Sequence, residues 1–361
     1  NVAVGAFALD ANTTGQYNVA LGFEALGNNT TASNNVAVGR SSLFSNTTGA
    51  NNVAVGLQAL YTSSTGAQNV AVGNYALDAN TTANSNTAVG YSSLSANTSG
   101  SRNAAFGDAA LVANTTGSDN SSFGGFSLSV NTTGAQNTAF GGYALNKNTT
   151  SNNNTAVGYL ALFENTTGGG NTAVGSTALD ANTTAASNTA VGYAALSSNT
   201  TGTQNTAVGR ESLNSNTTAA NNTAVGYKAL DLNTTGGENT AVGGFALDAN
   251  TTGTRNTAVG YSSGSSLTSG NYNAALGSNF SLGRNTTGSY NAAFGDGALA
   301  YNTTANFNVA MGQAALHVNT TGTRNTGLGY YALGQNTTAG HNTAVGNQAL
   351  YANTTGSDNT A

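Results

Sequence analysis

The chain has 361 residues, of which only 8 are Lys or Arg and 13 Asp or Glu, for a formal net charge of −5, and it lacks Pro, Cys and Trp. Disulfides are thereby excluded. Two lysines and six scattered arginines make no basic face for nucleic acid, and no apolar run reaches membrane-spanning length.

One pentapeptide organises everything else. Asn205-Thr206-Ala207-Val208-Gly209 returns as Asn222-Thr223-Ala224-Val225-Gly226, an offset of 17 positions. Its glycine recurs at that same offset from Gly5 to Gly277 and, after one step longer by a single residue, from Gly295 to Gly346, making 21 copies. A fixed short period is the signature of a stacked array. The expected fold is all-β: a parallel β-solenoid or β-roll of about 21 coils of 17 residues, one elongated rod over 1–361. At the usual strand spacing such a rod is roughly 100 Å long. Both ends fall inside a copy, so the chain is expected to be an excerpt of a longer array.

With the glycine as position 0, one unit reads as follows. Positions −3 to +1 form a short strand of small and β-branched residues, with Ala at −2 and Val, Leu, Phe or Met at −1. The glycine suits a close backbone approach or a bend. A second short strand is expected around Ala or Ser at +3 and Leu at +4. Asn-Thr-Thr-Gly/Ala then supplies a turn. Helix is the poorer reading for a unit so rich in Gly, Thr and Asn. The pattern lapses once, over 261–295, where the leucine shifts to Leu267 and Leu282 and one residue is added. Ser262 to Ser266 there reads as a bulge, a loosened coil or a bend.

Two asparagine columns stand out. Position −4 is Asn at all 22 occurrences, Asn18, Asn35, Asn52, Asn69, Asn205 and Asn222 among them. It is expected to be the buried, stacked one. Position +7 is Asn in 19 copies: Asn12, Asn29, Asn46, Asn80, Asn97, Asn114, Asn131, Asn148, Asn165, Asn182, Asn199, Asn216, Asn233, Asn250, Asn285, Asn302, Asn319, Asn336 and Asn353. Each begins an Asn-x-Thr/Ser sequon, so this column is read as outward-facing candidate N-glycosylation sites. Because a glycan on every coil would be crowded, sugar on the threonine at +8 or +9 is the alternative.

The charges test the register. All of them, with both histidines, fall on the mixed-composition positions +1, +2, +5, +6 and +12, read as solvent-facing. Stacking in register brings together Arg102 with Asp119, Lys147 with Glu164, Glu211 with Lys228, and Glu238 with Arg255. Arg210 is expected to stack between Tyr193 and Tyr227. Chemistry is harder to find. Asp231 and Asp248 could mimic a glycosidase carboxylate pair, but without surrounding aromatic, Arg or His residues they read as two exposed aspartates. His317 and His341 occupy different columns without neighbours at ligand spacing. No cofactor, metal or catalytic residue is expected. Adjacent threonines point to opposite faces of a strand, against an ice-binding ladder.

The strand Asn35-Val36-Ala37-Val38-Gly39 and its copies, followed by the small-residue segment around Ala229, resemble the head repeats of the YadA-like trimeric autotransporter adhesins. They are also similar to phage tail-fibre shaft repeats. This unit is longer and carries the additional Asn-Thr-Thr-Gly turn. The resemblance implies a left-handed parallel β-roll, association as a homotrimer or filament, and extracellular binding to a host surface or matrix. The functional expectation is an extracellular or cell-surface fibre or adhesin shaft without catalysis. Its alternatives are a phage tail-fibre shaft and a polysaccharide-cleaving solenoid.

Overall fold

The computed structural model describes residues 1–278 and 280–361. It is all-β, built of parallel strands that recur at the period of the sequence. The chain divides into two units, Asn1–Thr184 and Ala185–Ala361. The first holds β1 (Val2–Val4) through β11 (Thr172–Val174), each strand three residues long. The second holds β12 (Thr189–Val191) through β21 (Thr343–Val345). Within each unit every strand pairs in parallel with the next, like residue on like: Val36 with Val53 and Ala37 with Ala54 in the first, Thr206 with Thr223 and Ala207 with Ala224 in the second. Both units are parallel β-solenoids.

The strand is shorter than expected, ending at −1. Gly5, Gly22 and their successors have φ near +135°. A Cβ on Gly5 would stand 2.4 Å from the carbonyl oxygen of Gly22. No side chain fits there, so the glycine both bends the chain and lets the next coil close on it.

The second strand around Ala-Leu does not form. Those residues make a turn in which +2 and +4 are left-handed while +3 is not: φ is 56° at Glu24 and 51° at Leu26. Position +12 is left-handed too, at 61° in Asn34. For a residue such as Leu this costs about 1–2 kcal/mol. What holds it is that each left-handed N–H donates to an adjacent coil. Glu24 donates to the carbonyl of Ala6 (3.0 Å), Leu26 to Ser42 (3.1 Å) and Asn34 to Gln16 (3.0 Å). Backbone ladders therefore run around much of the coil, and burying the leucine adds about 1.5–3 kcal/mol.

The core of a coil is narrow. Ala at −2, Ala or Ser at +3 and Leu at +4 are fully buried, as at Ala20, Ala25 and Leu26. Ser122 and Ser127 replace both alanines of one coil and pair with each other (Oγ to Oγ 2.5 Å).

The lapse at 261–295 lies inside the second unit. Of the bulge, loosened coil or bend expected over Ser262 to Ser266, Ser262 to Gly264 show none and stay in register: the N–H of Gly264 bonds the carbonyl of Ser281 (3.0 Å) just as the regular leucines bond +3 of the next coil. Gly264 keeps the left-handed turn (φ 61°), and Leu267 moves into the +7 place, fully buried. The extra residue enters between Gly277 and Leu282. Its effect shows where β17 (Ala274–Leu276) pairs with β18 (Ala292–Phe294), Ala274 facing Ala292 one position beyond the regular partner. Position 279, within the span expected to be irregular, lies outside the described residues.

Candidate functional site

The two asparagine columns form one interior system. At −4, each Asn Oδ1 accepts the backbone N–H of the next Asn, as Asn18 does from Asn35 (2.9 Å) and Asn205 from Asn222 (3.0 Å). Asn35 and Asn52 repeat the bond with Asn52 and Asn69. At +7, where one Asn follows another, the later Nδ2 donates to the Oδ1 of the Asn one coil earlier: Asn131 to Asn114 and Asn148 to Asn131, both 2.8 Å. Both columns also converge on the carbonyl at +10. Gly49 O accepts from Asn46 Nδ2 (2.9 Å) and Asn35 Nδ2 (3.0 Å).

This overturns the outward reading of +7. From Asn29 to Asn336 those asparagines are fully buried, and only the terminal Asn12 and Asn353 are half-exposed. An amide nitrogen that is buried and spends its hydrogens on two carbonyl oxygens has no room for a glycan in the folded coil. The sequon is legible as a surface motif only because its threonines face out. Uniformity alone could not have told the two apart, since the exposed +9 column is as uniform in Thr or Ser as the +7 column is in Asn.

All four expected charge pairs are made. Arg102 Nε lies 2.6 Å from Asp119 Oδ1, Lys147 Nζ 2.7 Å from Glu164 Oε1, Lys228 Nζ 3.3 Å from Glu211 Oε2 and Arg255 Nε 2.8 Å from Glu238 Oε2. The hydrogen-bonded guanidiniums hold Asp119 and Glu238 below their ordinary carboxylate values, and Arg210 does the same for Glu211. Arg210 lies over Tyr193 (5.5 Å to the ring centre) and pairs with Glu211 (2.9 Å) instead of being sandwiched by Tyr227.

Position +5 is not a solvent-facing column. Asp78, Asp180 and Asp248 are half-buried, and each has a buried Oδ1 with no hydrogen-bond partner. Desolvation raises the pKa of all three, against opposing bonds from nearby backbone N–H groups. Asp231 is half-buried as well and accepts from Lys228 Nζ (3.1 Å), so the Asp231–Asp248 pair is not the exposed one expected.

His341 stands on the +12 column, its Nε2 3.4 Å from Arg324 Nη1. His317 is placed differently. It helps line a cleft of about 150 Å³ in the second unit with Phe280, Arg284, Gly297, Ala300 and Tyr301. Gly297 occupies +2, where most coils carry a side chain. A Cβ there would come within 3.3 Å of His317 Nδ1, so the missing side chain gives the imidazole its seat. Because a carbonyl can only accept, His317 Nδ1–H donates to Gly297 O (2.9 Å), leaving Nε2 the acceptor in the neutral ring. Tyr301 meets His317 edge to face at 5.1 Å, and the Arg284 guanidinium carbon sits 4.1 Å from the centre of the Tyr301 ring. Sequence reading missed this cleft. Its signals were the added residue and the glycine at 297. No family model matches the sequence, and no curated protein matches it.

Proposed function

We propose that this chain is shaft material of an extracellular structural fibre or adhesin, akin to the YadA-like heads in its stacked strand motif, and that its role is mechanical and presentational without catalysis. The observation that carries this reading is the interior of each unit. Two amide columns, a leucine column and the backbone ladders all run along the stack, so each coil templates the next and extension follows copy number. Such construction suits a spacer exposed to proteases and drying, because every interior polar column is tied to its neighbours.

In this reading the surface sugar acceptors are the threonines at +9. Thr31, Thr48 and Thr116 are exposed, whereas the +8 hydroxyls are committed to the next coil, Thr47 Oγ1 to Ser64 O (3.0 Å) and Thr115 Oγ1 to Thr132 O (3.0 Å). Self-association as a homotrimer or filament belongs to the same proposal, through the outward strand positions −3 and −1. A phage tail-fibre shaft is the second reading, favoured by the same stacked strands. Antibodies raised against the chain and applied to intact cells and to purified phage particles of the source separate the two. Labelling of the cell surface supports the adhesin, labelling of particles supports the tail fibre, and signal confined to the cell interior overturns both.

A further inference from the structure

We propose that the cleft lined by Phe280, Arg284, Tyr301 and His317 binds a single pyranose ring that carries a carboxylate, such as a uronate or sialate residue. The proposal concerns a binding site and is independent of where the shaft is located.

Three observations point to that ligand. The first is an uncommitted cation. Arg102, Arg210 and Arg255 are each ion-paired; among the described residues no carboxylate pairs with Arg40, Arg324 or Arg284, and of these three only Arg284 lines the cleft, unpaired even with Asp296 beside Gly297. Arg284 is exposed, and one face of its guanidinium is spent on Tyr301. That stacking leaves the in-plane N–H fork available, the geometry that grips a carboxylate through two parallel bonds. The second is a pair of ring walls. Phe280 is 56% exposed and Tyr301 37% exposed at the same cleft. Sugar rings present an apolar C–H face that packs on aromatic carbon, which inorganic anions lack. The third is the seated imidazole. With Nδ1–H held by Gly297, His317 offers Nε2 as an acceptor for a hydroxyl. The volume of about 150 Å³ takes up one ring, with the further substituents of a larger acid sugar left in solvent.

The cleft lies where the repeat departs from itself. In regular coils +2 carries a side chain and each coil follows the last at the common period. Here Gly297 leaves the +2 place without a side chain, in the coil that follows the 18-residue step, and Arg284, Tyr301 and His317 surround a hollow.

Saturation-transfer NMR on the full chain with glucuronate, N-acetylneuraminate, the methyl ester of glucuronate, glucose and benzoate tests the assignment. The expected result is binding of at least one acid sugar, with the ester and glucose weaker by roughly tenfold or more. Whichever of glucuronate and N-acetylneuraminate binds more tightly names the source. Arg284→Gln is expected to bring the acid sugar down to the level of the ester, and Phe280→Ala to weaken both acid and ester. Both residues are exposed, and the acid-against-ester comparison in the unaltered chain needs no variant at all. Equal binding of acid and ester, unchanged binding by Arg284→Gln, tighter binding of benzoate than of either sugar, or no binding of any acid sugar overturns the proposal.

Discussion

Ser63 follows Asn46 on the +7 column, and the Asn46 Oδ1 and the Ser63 hydroxyl are both buried without a hydrogen-bond partner. Where one asparagine follows another on the column, the donor to Oδ1 is the amide of the later one, and serine is too short to reach. Ser63→Asn should therefore donate to Asn46 and accept from Asn80, whose Nδ2 now bonds only Ala83 O (3.2 Å). One orphaned buried acceptor gains a donor and one orphaned hydroxyl is removed, so a stabilisation of about 1–3 kcal/mol is expected. Native-state hydrogen exchange of Asn46 to Asn80 reads it: slower exchange supports the column's role, and unchanged exchange removes it.

Gly209 and Gly202 occupy different kinds of glycine position. A Cβ on Gly209 would meet Gly226 O at 2.4 Å with φ at 133°, and no copy carries another residue at that place. Gly209→Ala is expected to cost roughly 3 kcal/mol or more. At +10 alanine or serine does occur, at Ala32, Ser151 and Ala219 for example, but never in two successive coils. The reason is that each Cβ at +10 presses on the carbonyl of the next coil, 2.1 Å away at Gly202 and 2.3 Å at Gly117. One displaced carbonyl is absorbed when its own residue is glycine. Gly202→Ala, between Ala185 and Ala219, should then destabilise more than Gly117→Ala, between Gly100 and Gly134, by about 1 kcal/mol or more. Denaturant unfolding of the two variants decides it, and equal losses would falsify the alternation.

The stacking register was legible because identical residues at a fixed spacing have only one way to superpose. That is why the pairing of Ala207 with Ala224 and the contact of Lys147 with Glu164 could be read off directly. What was not legible is the path between strands. Leu26 is a poor candidate for left-handed backbone, and only the inter-coil bond it donates to Ser42, a tertiary feature, makes that geometry worthwhile. The asparagine at +7 was misplaced for a related reason. A sequon describes local polarity, whereas Asn131 faces inward because its partners are Asn114 one coil back and the carbonyl of Gly134. The cleft around Arg284 depends on a departure from the repeat, which periodicity locates without shaping.

Asp180 gives a pH dependence of definite sign. Burial favours its neutral carboxyl, so its folded pKa lies above the ordinary 3.8. At a pH below that ordinary value the residue is protonated in both states and carries no penalty. As pH climbs through the raised folded value, the unfolded chain ionises more readily and stability falls. Asp180→Asn removes the charge and should stabilise the fold near neutral pH while leaving stability at acid pH unchanged. Thermal unfolding of both proteins across that range checks the sign; a variant that loses stability near neutrality means the carboxylate is favourably held.

Gly264 and Leu267 exchange the usual roles of +4 and +7, and the exchange leaves Asn250 Oδ1 buried without a donor. Restoring the regular order as Gly264→Leu with Leu267→Asn should therefore stabilise the local coil, whereas either change alone should not. Gly264→Leu by itself forces two leucines into one coil, with the new Cβ 3.0 Å from Leu247 Cδ2 and overpacking of about 1–3 kcal/mol. Leu267→Asn by itself supplies the missing donor but empties the leucine's volume, at about 2–5 kcal/mol. Backbone geometry permits the double change, since Gly264 has φ 61° and the leucines at the matching place lie close by, Leu230 at 53° and Leu299 at 51°. A double-mutant cycle read from amide exchange at Asn250 and Thr268 should show strongly favourable coupling. Additive losses would mean that Leu267 does not stand in for the displaced leucine.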